Sequence, residues 1–359
     1  MSPPGRPRGE YRSAQHEGSP VPARAEPAAR EPAPDPQECA RIAQGVRAGD
    51  RRTLAKAITL AESTRDDHQA LARAVMAEVL PETGRALRMG ITGAPGVGKS
   101  TLIEALGLHL VAEGHRVAVL AVDPSSSVSG GSVLGDKTRM EELARHGQAF
   151  IRPSPASGAL GGVAAHTREA ILFVEAAGYD IVIVETVGVG QSETDVANLT
   201  DVFVLIQQPN AGDDLQAMKR GIVEMADVIV YNKLDLDRAA ADRAMAQMSG
   251  ALTLLRPASI HWKPPVLGVS ALKRDGIAAF WNEIVRCRDT LAAAGELAAK
   301  RRRQALAWMW HLIDASLRDR FRRNRAVRAH LDGVLAAVAA GTLTPTAAAA
   351  QLISESQGR

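Results

Sequence analysis

The spacing of apolar residues changes twice along this chain, and each change marks a different kind of architecture. From about Pro36 to Thr83 they recur at intervals of three and four: Cys39, Ile42 and Val46, then Leu54, Ile58 and Leu60, then Leu71, Val75, Met76 and Val79. That period predicts two or three short helices, broken near Gly49-Asp50 and ended by Pro81 and Gly84. From about 85 to 292, short unbroken apolar runs alternate with helical stretches. The runs are ALRMGIT (86–92), VAVLAV (117–122), QAFIRP (148–153), DIVIVE (180–185), VFVLIQQ (202–208), VIVYNK (228–233) and PVLGVSA (265–271). The helical stretches fall at 100–113, 138–146, 163–178, near 213–226, up to about 255, and from 276. Strands written without polar alternation are buried on both faces, so the block predicts a mostly parallel sheet between helices. Beyond about 292 the period returns to helical, with Leu306, Met309, Trp310, Ile313, Leu317 and Phe321 in one stripe.

This divides the 359 residues into a tail (1–36), a helical segment (37–84), an α/β domain (85–292) and a C-terminal helical segment (293–359). The tail holds nine of the 19 prolines, five arginines, five acidic residues and almost nothing large and apolar, which predicts disorder. It has no apolar core of a secretory signal, and its acidic residues disfavour an organellar transit peptide. No run approaches the ~18 apolar residues of a membrane span. A cytoplasmic protein is expected, without nucleic acid or membrane as partner. A net charge of +3 is too small to argue for nucleic acid unless it is clustered. Two cysteines, Cys39 and Cys287, give no disulfide framework.

One loop carries recognisable chemistry. Gly93-Ala94-Pro95-Gly96-Val97-Gly98-Lys99-Ser100, followed by Thr101, fits G-x-x-x-x-G-K-[ST] and joins a predicted strand to a predicted helix, as a phosphate-binding loop must. The glycines let backbone N–H groups turn inward around phosphates at a helix N-terminus. Lys99 can reach the β/γ oxygens, and the Ser100 hydroxyl can ligate Mg²⁺.

Ligands of such sheets bind at the carboxyl ends of the strands, and the other candidates fall there. Asp123 and Glu185 end two strands, and a carboxylate at such a tip can hold Mg²⁺ through water or orient a nucleophilic water. Gly188, three residues past Glu185, can donate its N–H to a γ-phosphate, so 186–193 is expected to order only with a triphosphate. Asn232-Lys233-Leu234-Asp235 is an N-K-x-D signature of guanine recognition. Asp235 can accept from guanine N1–H and N2–H₂, Lys233 can lie along the base, and Asn232 can brace the loop. Ser270-Ala271-Leu272 matches the segment whose backbone N–H meets guanine O6.

With these residues in hand, the chain resembles the MeaB/ArgK family of GTPases, the group that includes the human methylmalonic aciduria type A protein. The resemblance covers roughly 40 to 330. It rests on AVDPSSSVSGGSVLGDKTRM (121–140), IRPSPASGALGGVA (151–164), IVETVGVGQSE (183–193) and AGDDLQAMKRGIVEMAD (211–227), and on Glu185 where most GTPases have Asp. It implies a P-loop GTPase, using Mg²⁺ with GTP or GDP, that protects an adenosylcobalamin-dependent acyl-CoA mutase and gates its cofactor loading, with a cobalamin adenosyltransferase as a further partner. It assigns Asp123 and Asp136 to the magnesium and first-switch region, so that Ser100, Asp123, Asp136 and Glu185 form the metal set. Glu185 falls in the second switch, and Asp213, Gln216 and Lys219 in a third switch facing the mutase. The N-terminal helical segment, which carries no chemistry, reads as a cap packed on the next domain; the resemblance favours a homodimer built on the C-terminal helices.

A Ras-like GTPase has a Gln directly after the second-switch Gly, but here Val189 follows Gly188 and Gln191 lies two residues further on. Slow intrinsic hydrolysis, stimulated by the partner mutase, is therefore expected. A nickel metallochaperone would carry a His-rich tract or Cys-x-x-Cys, and neither is present. An ATP-dependent transport kinase conflicts with N-K-x-D.

Overall fold

A computed structural model describes residues 34–123, 140–155, 163–186, 192–209, 220–255 and 258–357. All but the last three residues of the proline-rich stretch 1–36 lie outside them.

Seven strands form one sheet: β1 (Leu87–Gly93), β2 (Val117–Asp123), β3 (Ala149–Pro155), β4 (Ile181–Thr186), β5 (Val202–Gln207), β6 (Val228–Tyr231) and β7 (Val266–Gly268). Their order is β3-β2-β4-β1-β5-β6-β7, and every paired neighbour runs parallel. All seven expected strands are present, within a few residues of their predicted ends. Because β1 sits between β4 and β5, the chain reverses its direction of winding there. That leaves a crevice at the carboxyl ends, where open α/β sheets bind ligands.

Apolar residues on both faces explain the unbroken runs. Along β4, Ile181 and Ile183 join one core with β1's Met89 and Ile91, while Val182 and Val184 join another with β5's Phe203. The first core is closed by α4 (Lys99–Ala112) and a later helix, Ile277–Ala293. The second is closed by Val163–Ala176 and by three N-terminal helices, α1 (Pro36–Arg47), α2 (Arg51–Glu62) and α3 (Asp66–Val79). Asp35 and Asp50 cap α1 and α2 by accepting from Gln37 N and Thr53 N, which fixes the expected break at Gly49-Asp50. The helices after β2 are numbered α5 (Glu141–Arg145), α6 (Val163–Ala176), α7 (Ser192–Ala197), α8 (Arg220–Met225), α9 (Arg238–Leu252), α10 (Ile277–Ala293), α11 (Glu296–Arg323), α12 (Arg325–Ala339) and α13 (Pro345–Ser356). α7 has no counterpart in the sequence reading, and the expected helix near 213–226 is described only as α8.

The C-terminal helices are tied to the amino ends of the strands by buried ion pairs. Arg301 Nε donates to Asp201 Oδ1 at 2.7 Å, and its terminal nitrogens reach Asp201 Oδ2 and the carbonyls of Gly84 and Ala86. Asp201 is fully buried and also accepts from the Arg88 N–H. Arg88 in turn pairs with Glu175 at 2.7 and 2.9 Å, and Gln304 donates to Thr200 O. A buried carboxylate is tolerated only when paired and hydrogen-bonded in this way. Beyond this root Leu306, Met309, Trp310, Ile313 and Leu317 of α11's apolar stripe are exposed, while Phe321 packs on the cluster of Val327, Val334, Ala348 and Leu352. Among the described residues no helix is long and apolar enough to cross a membrane.

Candidate nucleotide site

The phosphate loop leaves the carboxyl end of β1, at the crevice. Gly93 has φ +155°, and a Cβ there would lie 2.4 Å from the carbonyl oxygen of Ile206 on β5. Gly98 has φ +92°, and a Cβ there would lie 2.5 Å from Asn232 Nδ2. Only glycine fits both a left-handed backbone and those approaches. Ala94, Pro95 and Gly96 stand exposed at the lip, whereas Val97 is buried in the core and anchors the loop. Among the described residues no side chain caps the N-terminus of α4, whose cap residue is Gly98. Its first-turn N–H groups and positive dipole end therefore face the loop, the arrangement that receives an anion.

Lys99 curls back over the loop, and its Nζ donates to Gly93 O at 2.7 Å and Ala94 O at 3.1 Å. Ser100 Oγ donates to Glu185 Oε1 at 3.0 Å, joining the first turn of α4 to the end of β4. Thr101 is exposed one residue on. Asp123 ends β2 one step past the Val122–Thr186 pair, so its backbone lies beside the tip of β4. The Ser100 hydroxyl and the Glu185 carboxylate are hard oxygen donors beside a phosphate cradle. Mg²⁺ at such sites takes one or two protein oxygens and completes its shell with phosphate and water, so this pair fits it.

The base-side loops close the opposite wall. Asn232 N–H donates to Gln207 O at 2.8 Å, continuing the β5–β6 ladder, and the Asn232 amide bridges two loops. Its Nδ2 donates to Val97 O at 3.0 Å, and its Oδ1 accepts from Ala271 N at 3.0 Å. Lys233 takes φ +65°, unusual for a side chain with a Cβ, and its Nζ donates to Gly96 O at 2.7 Å and Gln208 Oε1 at 3.2 Å. The Ser270 hydroxyl donates to Asp235 Oδ1, which holds the Asp235 carboxyl below the usual carboxylate range. Ser270 N–H is taken by Asp275 O and Ala271 N–H by Asn232. Of that three-residue segment, the N–H left to face a ligand is that of Leu272, whose side chain is exposed.

The structure thus gathers Gly93 to Thr101, Glu185, Asn232, Lys233, Asp235 and Ser270 to Leu272 around one crevice, with the backbone of Asp123 at its edge. Asp136, Gly188, Asp213, Gln216 and Lys219 lie outside the described residues. Sequence reasoning missed Gln208 and the buried trio Thr92, Thr186 and Glu193. For Gln208, Thr92 and Thr186 the one signal is a polar residue at the end of an apolar strand, which does not distinguish a site residue from a strand end; Glu193, in the short α7, carries none.

A family model described as Methylmalonyl Co-A mutase-associated GTPase MeaB matches residues 54–326. The chain belongs to the MeaB family of GTPases. This MeaB-family chain is 51% identical over 313 residues to a protein of Mycobacterium tuberculosis (strain ATCC 25618 / H37Rv) named as a GTPase, covering 87% of this chain and 93% of that one. It is 47% identical over 310 residues to GTPase ArgK of Escherichia coli (strain K12), covering 86% and 93%. It is 46% identical over 330 residues to the mitochondrial methylmalonic aciduria type A homolog of Mus musculus, covering 89% and 80%. Among solved structures, one described as a LAO/AO transport system kinase superposes with a TM-score of 0.72 at 38% identity, covering 90% of this chain and 99% of that one.

Proposed function

We propose that this chain binds GTP with Mg²⁺, hydrolyses it slowly when alone, and serves an adenosylcobalamin-dependent acyl-CoA mutase, methylmalonyl-CoA mutase by the family's description, protecting it and gating its cofactor loading. The observation that carries the nucleotide part is the Asn232 amide, which holds the phosphate loop and the base loops in one fixed relation. The α- and β-phosphates lie on the loop N–H groups of 93–101, and Lys99 moves from Gly93 O and Ala94 O to the β/γ oxygens. Asp235, kept ionised by Ser270, accepts from guanine N1–H and N2–H₂; adenine presents no such pair of donors. Leu272 N–H meets guanine O6. Ser100 and Glu185, with Asp123 and Asp136, hold Mg²⁺, which when bound neutralises charge developing on the phosphates. Gly188 donates to the γ-phosphate.

The partner reading is supported by the family description and by the name of the mouse relative. Asp213, Gln216 and Lys219 form the surface that meets the mutase, and docking there orders Lys219 toward the nucleotide. A cobalamin adenosyltransferase joins the same pathway of cofactor delivery. The exposed part of α11's apolar stripe is the seat of a homodimer, since an exposed row of this kind is satisfied by a like partner. The cell interior is the proposed location.

Single-turnover hydrolysis with and without the mutase tests this. GTP should be preferred over ATP, and the mutase should raise the rate at least about tenfold, which needs ~1.4 kcal/mol of added transition-state stabilisation. Lys219→Ala should lose most of that stimulation while keeping GTP affinity. Lys99→Ala should abolish tight GTP binding or hydrolysis without unfolding the chain. A preference for ATP would instead favour a transport-kinase activity, the description carried by the solved relative.

A further inference from the structure

Thr92 and Thr186 occupy matching positions on β1 and β4, one step past the Ile91–Glu185 pair. Thr186 Oγ1 donates to Thr92 Oγ1 at 2.9 Å, and Thr92 Oγ1 lies 3.4 Å from Glu193 Oε1 in the first turn of α7. Thr92 and Thr186 are fully buried, and Glu193 is 7% exposed. A hydroxyl has one proton, so a Thr92 hydroxyl that donates to Glu193 has only lone pairs left to offer Thr186. Thr92 gives its proton to Glu193 and accepts from Thr186.

The position of this chain matters more than its length. Successive residues of a strand point to opposite faces. Ile91 packs in the α4-side core and the Glu185 side chain meets Ser100 there, whereas Val184 packs on the other side. A Cβ on Gly90, one turn of the pleat before Thr92, would meet Val196 and Thr200, just beyond α7's first turn. The hydroxyl pair therefore lies on the face away from Ser100. In sequence, Thr92 directly precedes Gly93, Thr186 directly follows Glu185, and Glu193 is the second residue of α7. One threonine holds together the root of the phosphate loop, the tip of the strand bearing Glu185, and the start of α7.

We propose that Thr92 is a positioning residue for GTP hydrolysis. Its hydroxyl, linked to Thr186 and Glu193, fixes where Glu185 and the start of α7 stand relative to the phosphate loop. The inference rests on the GTPase reading above. The bonds that tie the nucleotide loops to one another run through Lys99, Asn232 and Lys233 rather than through these hydroxyls. Losing the Thr92 hydroxyl removes the link that joins β1, the tip of β4 and the first turn of α7, while the binding loops keep their bonds. The rate should suffer and the affinity should not.

The test is GTP affinity and single-turnover hydrolysis in the full chain, for wild type, Thr92→Val, Thr92→Ser, Thr186→Val and the double valine variant. Thr92→Val should lower the single-turnover rate about tenfold with the dissociation constant for GTP within about twofold of wild type. Thr92→Ser, which keeps the hydroxyl, should recover to within about twofold. Thr186→Val removes the donor at the far end and should reproduce a rate-specific loss, and the double variant should be no slower than the slower single, because the two act as one unit. An unchanged rate in Thr92→Val overturns the proposal. So does a Thr92→Ser as slow as Thr92→Val, which would place the effect in packing of the methyl group, or a loss carried by affinity instead of rate. If Thr92→Val fails to fold, Thr186→Val decides by the same criteria. A wild-type chain that does not hydrolyse GTP under these conditions fails the GTPase reading itself, a distinct result.

Discussion

The Asn232 side-chain amide donates to the carbonyl oxygen of Val97, 135 residues upstream, at 3.0 Å. Its oxygen accepts from the Ala271 N–H at the same distance. A single planar amide thus sets the spacing between a phosphate cradle and a base pocket. Asn232→Asp keeps the shape but removes the donor and sets an anion against Val97 O. A buried acceptor left unpaired costs about 1–3 kcal/mol. Affinity for GTP should fall at least about tenfold by calorimetric titration, with the far-ultraviolet dichroism unchanged.

Asp235 is aimed by the Ser270 hydroxyl. Asp235→Asn replaces an acceptor by an amide whose NH₂ can face the 2-oxo group of xanthine. The variant should prefer xanthosine triphosphate to GTP in competition binding, and a retained wild-type ratio would remove Asp235 from base reading.

The clamp at the root of α11 should govern stability. Arg301→Ala leaves Asp201, fully buried, without its bidentate partner. Breaking a buried pair from one side costs on the order of 3–5 kcal/mol. The side chain of Arg301 is about a quarter exposed, so about 3 kcal/mol is expected, read as a lower urea midpoint at unchanged slope.

Glu169, on α6, is partly buried, and burial pushes its carboxyl up to about 7 against the smaller opposing pull of Arg73. Between the ordinary carboxylate range and about pH 7 the folded chain therefore binds more protons than the unfolded one. Stability contributed by the neutral form falls as pH rises through that window, and the penalty is complete above it. Glu169→Gln should be more stable than wild type at pH 8 by at least about 1 kcal/mol. The difference should shrink toward pH 5 in chemical denaturation at both values.

The sheet was legible because each strand is buried on both faces and so appears as an unbroken run: IVIV of β4 and VFVLI of β5 leave no competing reading. The loops of the crevice were legible because Gly93, Gly98 and Asn232 serve backbone geometry that tolerates few other residues. α7 was not, since six residues are less than two turns and give no period. The Arg301–Asp201 clamp was also invisible, because partners 100 residues apart are matched by topology and leave no local pattern. The helical region beyond 292 was read as one stripe. Asn324, which accepts from Ala326 N and Val327 N, and Gly341 at φ +71° divide it into three helices.

The central place of β1 also orders events during synthesis. Its two neighbours, β4 and β5, begin at Ile181 and Val202, while β2 and β3, made earlier, lie on the far side of β4. A nascent chain ending before Ile181 therefore has the glycine-rich loop in hand but neither strand that will lie beside β1. Ile206, whose carbonyl excludes any Cβ at Gly93, is translated 113 residues after that glycine. Pairings this distant must close long loops before they are stabilised, which slows folding and leaves apolar strands uncovered in the meantime. The nucleotide cradle is thus among the first parts of the α/β block to leave the ribosome and among the last to take shape.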